Sequence, residues 1–158
     1  TPTNTAITNT PTPEPTIAPT STPEPSIEPT SEITITPTLS NRVYVELQLS
    51  ETVFYPDDLF LLEAFIHNST PETYTNQPFV ILLDVFGIYF WYPYWTEEFS
   101  FEYVNLGTET IQKEILNFTW PDVQNSSSGI MFYGALLTKK FNAILGDFDM
   151  VAFGWESK

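Results

Sequence analysis

The feature that most limits what this chain can fold into is where its aromatic residues are missing. All thirteen Phe, eight Tyr and four Trp fall after residue 39, whereas residues 1–38 are almost wholly Thr, Pro, Ser, Asn and Glu. A segment whose large apolar residues are Ile7, Ile17, Ile27, Ile33 and Ile35 cannot bury enough surface to offset the entropy of ordering it. The chain therefore divides into an arm, 1–38, and one domain, 39–158, long enough to close a single core.

The arm contains a decapeptide written twice, TPEPTIAPTS and TPEPSIEPTS, over residues 12–31. Its prolines fix φ near the polyproline II value and steer each preceding residue away from helix, so an extended rod is expected. At ~3.1 Å per residue the rod reaches roughly 120 Å, several times the ~35 Å diameter expected of the domain. Hydroxyls spaced between prolines are the pattern of an O-glycosylated stalk. The candidate acceptors are Thr3, Thr5, Thr8, Thr10, Thr12, Thr16, Thr20, Ser21, Thr22, Ser26, Thr30 and Ser31; a bare flexible linker is the alternative. Ile7, Ile17 and Ile27 recur every ten residues, which in a rod is a step of roughly 31 to 33 Å, close to that diameter. Each is expected to plug an equivalent pocket on successive subunits. Ile33 and Ile35 alternate with polar residues between Pro29 and Pro37, the period of a short strand that pairs with its own domain or with a neighbour's edge.

Beyond the arm, Val43, Val45, Leu47 and Leu49 alternate with polar or amphipathic residues, and similar runs are read near 59–67, 79–86, 88–95, 99–104, 110–118, 130–138 and 147–155. About eight strands at this spacing, separated by turn text such as Tyr55-Pro56-Asp57-Asp58, predict a β-sandwich. Residues 139–146 are the one stretch that suits a helical turn.

The stretch Thr52 to Asn68 carries Phe54, then Pro56-Asp57-Asp58, then an apolar strand ending in His67-Asn68. It resembles the opening of bacterial immunoglobulin-like surface domains, with Asp57 standing where that family commonly has Gly. Gly87-Ile88-Tyr89-Phe90-Trp91 and Phe132-Tyr133-Gly134-Ala135-Leu136 look similar to carboxy-terminal β domains of large bacterial extracellular proteins. The resemblance implies an immunoglobulin-like sandwich with a surface role and no chemistry.

Charge and motif content narrow the function further. A formal net charge of -15 repels nucleic acid and anionic membranes, and no apolar run is long enough to span a bilayer. With no Cys, neither disulfides nor thiolate metal sites are available. The first residue, Thr1, follows no apolar leader, as expected of a secreted chain after signal removal or of a fragment. His67 is the sole histidine, and no nucleophile-elbow, P-loop or dinucleotide motif accompanies it, so no catalytic residue is expected. The carboxylate pairs Asp57-Asp58, Glu97-Glu98 and Asp147/Asp149 lack the spacing of a Ca²⁺ loop, so no metal is expected.

Two features remain as candidate sites. The run from Tyr89 to Trp95 places aromatics on both faces of a strand, and Tyr89, Trp91, Tyr92, Tyr94 and Trp95 are expected to form a contact face. Its expected occupant is the proline-rich arm of a neighbouring subunit, with polysaccharide as the alternative. Asn68, Asn117 and Asn125 head N-glycosylation triplets, so covalent glycans are expected in place of a cofactor. The chain thus reads as a glycosylated structural subunit of an extracellular or cell-surface filament, a homopolymer held by its arm. The alternative is a carbohydrate-binding or adhesin module on a mucin-like linker.

Overall fold

The structure, a computed structural model, describes residues 41–157. The arm, with Ile7, Ile17, Ile27, Ile33, Ile35 and every candidate O-glycosylation site, lies outside the described residues.

Nine strands and no helix make up the described chain. They are β1 (Val43–Leu49), β2 (Val53–Phe54), β3 (Leu59–Asn68), β4 (Tyr74–Val85), β5 (Ile88–Trp91), β6 (Glu102–Leu106), β7 (Ile111–Thr119), β8 (Ser127–Leu136) and β9 (Asp149–Trp155). One sheet has the order β1-β3-β7, the other β2-β9-β8-β4-β5, with β6 also on β4. Both are antiparallel except where β2 runs parallel to β9. The predicted all-β sandwich is therefore what forms, with β2 too short to show a period.

Alternation sets which side chains meet between the sheets. Val43, Val45 and Leu47 of β1, and Phe60, Leu62, Ala64 and Ile66 of β3, all fall on one face and are buried. They meet Phe79 and Ile81 of β4, Ile130, Phe132 and Leu136 of β8, and Phe153 of β9. The ring of Phe60 contacts Phe132 at 6.2 Å and Phe153 at 5.2 Å across the layers. Gly134 faces this core because a Cβ there would press on Leu47 and Ile81.

The layers are also stitched at one side through backbone. Asp147 N donates to Val43 O at 3.0 Å, and Val45 N donates to Asp147 O at 3.2 Å. The Asp149 carboxylate then accepts from Leu47 N at 2.8 Å, so β1 is held on both edges. Gly146 brings the chain to this seam with φ +78, in the left-handed region that glycine tolerates.

Two strand boundaries and one turn differ from the sequence expectation for physical reasons that the structure shows. β4 begins at Tyr74, five residues before the expected 79, because Tyr74, Gln77 and Pro78 pair with β6 across a register shift at Thr75-Asn76. β5 stops at Trp91 because Pro93 cannot donate to a ladder and the chain turns there. Residues 139–146 form no helix: Thr138 N donates to Ala143 O, and Leu137 bridges Ile144, which closes a tight turn.

The chain reverses direction between β2 and β3 at Tyr55-Pro56-Asp57-Asp58. Asp58 N donates to Tyr55 O, Pro56 occupies the second position, and Asp57 has φ 76. A proline followed by a positive φ marks a type II turn, and Asp57 adopts the conformation that glycine fills most cheaply.

The seam supplies a test. Gly146→Ala places a methyl on the Val43 carbonyl oxygen in a left-handed backbone, and a loss of roughly 2 to 4 kcal/mol in denaturant unfolding is expected.

Candidate functional site

The edge of β4 opposite β8 is shared by two strands: Leu82 to Val85 pair with β5, and Tyr74 to Phe79 pair with β6. Between them, residues 92–101 leave the ladder and fold around the sheet edge. The excursion is pinned by Tyr92 N donating to Ile81 O (3.0 Å), Trp91 N to Thr96 O (2.8 Å) and Trp95 N to Trp91 O (2.7 Å). The Ser100 hydroxyl donates to the carbonyls of Tyr92 (2.7 Å) and Trp91 (3.2 Å).

This excursion sorts the expected contact face into two environments. Tyr92 and Trp95 turn inward: Tyr92 meets Phe79 at 6.4 Å and Trp95, and Trp95 meets Phe132 at 6.0 Å. They plug the side of the core. Trp91 and Tyr89 pair with Leu82 and Asp84 on the face turned away from it. Tyr94, at the tip, is 76% exposed.

Residues outside that run complete the outer surface. Trp91 touches Phe99 edge-on at 4.9 Å, Phe99 touches Phe101 at 5.7 Å, and Phe101 touches Tyr103 at 5.1 Å. Phe141, from the turn after β8, closes on Phe101 at 4.9 Å and Phe99 at 6.1 Å. Pro78 and Val80 lie on this outer face yet are buried, so the sheet carries a second apolar layer. That layer is open to solvent, with Phe99, Tyr103 and Phe141 at 50%, 61% and 42% exposure. The alternation Phe99-Ser100-Phe101-Glu102-Tyr103 was its sequence signal; Phe141 had none, being distant in the chain.

Phe141 is held in place by its turn. Its N–H donates to Thr138 O, the Thr138 hydroxyl donates to Asn142 Oδ1 at 2.8 Å, and its φ is 57. Phe86, 66% exposed at the tip of the β4–β5 hairpin, likewise has φ 55. Left-handed backbone at a bulky residue costs on the order of 1 kcal/mol or more, where Gly or Asn would cost little.

Beneath the excursion a polar group links the sheets. Lys113 of β7 pairs with Glu102 of β6 at 2.9 Å. The Tyr92 hydroxyl is pushed up to about 12, first by burial, then by the charge of Glu102 and its hydrogen bond.

The remaining candidates are individually placed. Asn68 is buried, and its amide donates to the carbonyls of Glu72 (2.7 Å) and Gly107 (2.8 Å) while its Oδ1 accepts from the N–H and hydroxyl of Thr70. With both amide hydrogens donated, Asn68 clamps the loops at Glu72 and Gly107. Asn117 is exposed on β7 and donates to Glu114; Asn125 is exposed in a left-handed turn whose carbonyl accepts from the Trp155 indole. His67 stacks on Tyr44 at 4.3 Å and shares a hydrogen bond with the Thr110 hydroxyl. Its Nε2 lies 3.4 Å from Glu46 without hydrogen-bond alignment. Asp147 pairs with Arg42 at 2.6 Å, Asp149 holds Leu47 N, and Asp58 accepts from Tyr55 N. Among the described residues no three His, Asp or Glu side chains gather as metal ligands, and no helix is long and apolar enough to cross a membrane.

No protein-family model matches the chain, and no curated protein matches it. Among solved structures, the crystal structure of Spo0M, a sporulation control protein from Bacillus subtilis, is similar, with a TM-score of 0.44 and 10% identity. The match covers 74% of this chain and 50% of that one. The chain thus spans about half the length of that protein, and the likeness reaches no further than a β-rich backbone.

Two outcomes are expected from these placements. Asn68→Asp sets a carboxylate against two carbonyls and is expected to destabilise the domain by about 2 to 4 kcal/mol in chemical denaturation. For Tyr92 the folded value lies above the unfolded 10.0, so its contribution is whole below pH 10 and lost as pH rises toward 12. The melting temperature of Tyr92→Phe should fall less steeply across that window than that of the parent chain.

Proposed function

We propose that this domain is a non-catalytic assembly module of an extracellular filament or surface appendage, whose outer aromatic layer receives the Thr/Pro-rich arm of a neighbouring copy. The observation that carries the reading is the layer Trp91, Phe99, Phe101, Tyr103 and Phe141, of which Phe99, Tyr103 and Phe141 are exposed to water and Phe141 is presented on a left-handed backbone. A fold needing only stability would place Asn or Gly at positions 86 and 141. Exposed apolar surface of this kind marks a docking site.

The geometry of the rings favours a peptide over a polysaccharide. Phe99 meets Trp91 at 78° and Phe141 at 85°, and Phe101 meets Tyr103 at 84°. A glycan chain stacks along ring faces that share a plane; edge-to-face rings leave ridges and notches, which suit proline rings and isolated Ile side chains. The strand order supports the immunoglobulin-like reading. A short second strand runs parallel to the last, and the first, third and seventh strands oppose the rest.

Sedimentation and negative-stain microscopy of the full chain test this. Concentration-dependent polymers are expected, lost on deleting residues 1–38 and on Phe141→Asn, with folding stability of the latter within about 1 kcal/mol of the parent. A chain that stays monomeric and binds a glycan array through Trp91 would establish the carbohydrate-binding module instead.

A further inference from the structure

The chain has five Lys and Arg against twenty Asp and Glu, so the use of each cation is informative. Arg42 is paired with Asp147 and Lys113 with Glu102. Lys139 and Lys140 are exposed, adjacent in sequence, and paired with no carboxylate among the described residues; the contact of Lys139 is the Thr75 hydroxyl at 3.5 Å. They sit in the turn that fixes Phe141 against Phe99 and Phe101, so two unneutralised cations are presented at the rim of the aromatic layer.

The arm is the complement of this arrangement. Residues 1–40 contain Glu14, Glu24, Glu28 and Glu32 and no Lys or Arg. Glu14 and Glu24 each stand between two prolines, at the same place in the two decapeptides. In general, proline on both sides of a residue favours an extended backbone and supplies rings without N–H donors, suited to lying on Phe and Tyr. We infer that Lys139 and Lys140 read the Pro-Glu-Pro carboxylate of a second copy's arm, Glu14 or Glu24, while its prolines pack on Phe99, Phe101 and Phe141. The basic pair thereby sets the register of the arm on the aromatic layer, and the duplicated decapeptide provides two equivalent registers ten residues apart. This rests on the docking reading above and adds to it the identity of the ligand motif.

Charge reversal in the full chain separates the two claims. Lys139→Glu with Lys140→Glu, and Glu14→Lys with Glu24→Lys, are each expected to weaken association on the order of tenfold. Combining the four substitutions is expected to restore it, and raising salt, which also screens the repulsion between copies of net charge -15, to favour association less in the parent than in a Lys139→Gln, Lys140→Gln variant. Lys139 and Lys140 are exposed, and melting curves verify that each variant is folded. Association that persists unchanged in both charge-reversed chains, yet is lost in Phe141→Asn, overturns the register inference while leaving the docking face. Association absent from the parent chain at every concentration overturns both.

Discussion

The structure depends on one constraint along the edge of β4. That strand is long enough to need two partners, β5 and β6, and the residues between them must leave the ladder and return to it on the same edge. The ten residues so placed are anchored by Tyr92 N on Ile81 O, by the Trp91–Thr96 turn and by the Ser100 hydroxyl on the carbonyls of Trp91 and Tyr92. Their side chains then face two ways. Tyr92 and Trp95 complete the core from the side, and Phe99 and Phe101 start a layer outside it. Without the interruption β5 would continue as an ordinary edge strand, and neither the side plug nor the outer layer would exist.

The two faces of this region differ in what holds them. The inward rings are fixed by contacts with Phe79 and Phe132, and by a hydroxyl set against Glu102, itself paired across the sheets with Lys113. An ion pair this accessible contributes about 0 to 1 kcal/mol, so its effect is chiefly to settle where Glu102 points. The outward rings are held by one another and by the 138–143 turn. Rigid rings on a built turn lose little freedom when a partner arrives, which favours binding per unit of buried surface.

How much of this could be read beforehand depends on whether the cause was local. Val43, Val45 and Leu47 alternate cleanly, and β1 lies where that period puts it. Asn68 ends β3 as the pattern implies, but Asn68-Ser69-Thr70 reads equally as a glycosylation triplet; its burial depends on Gly107, thirty-nine residues away. In Tyr89 to Trp95 an unbroken aromatic run masked the turn, although Pro93 signalled it. Phe99, Phe101 and Tyr103 at every second position announced a one-faced stripe. Phe141 joins them through tertiary structure alone.

An open apolar layer on a protein invites non-specific contact, and the charge distribution opposes it. Copies bearing a net charge of -15 repel one another at range, which in the docking reading favours a contact that is apolar at close quarters and locally neutralised. The free edges offer no easier route. β7 carries Lys113 and Glu114, and its ladder with β3 shifts register at Leu62/Glu63, while β5 is four residues long. Pairing of strands between copies is thereby discouraged, whereas the outer layer beside Lys139 and Lys140 combines exposed rings with positive charge.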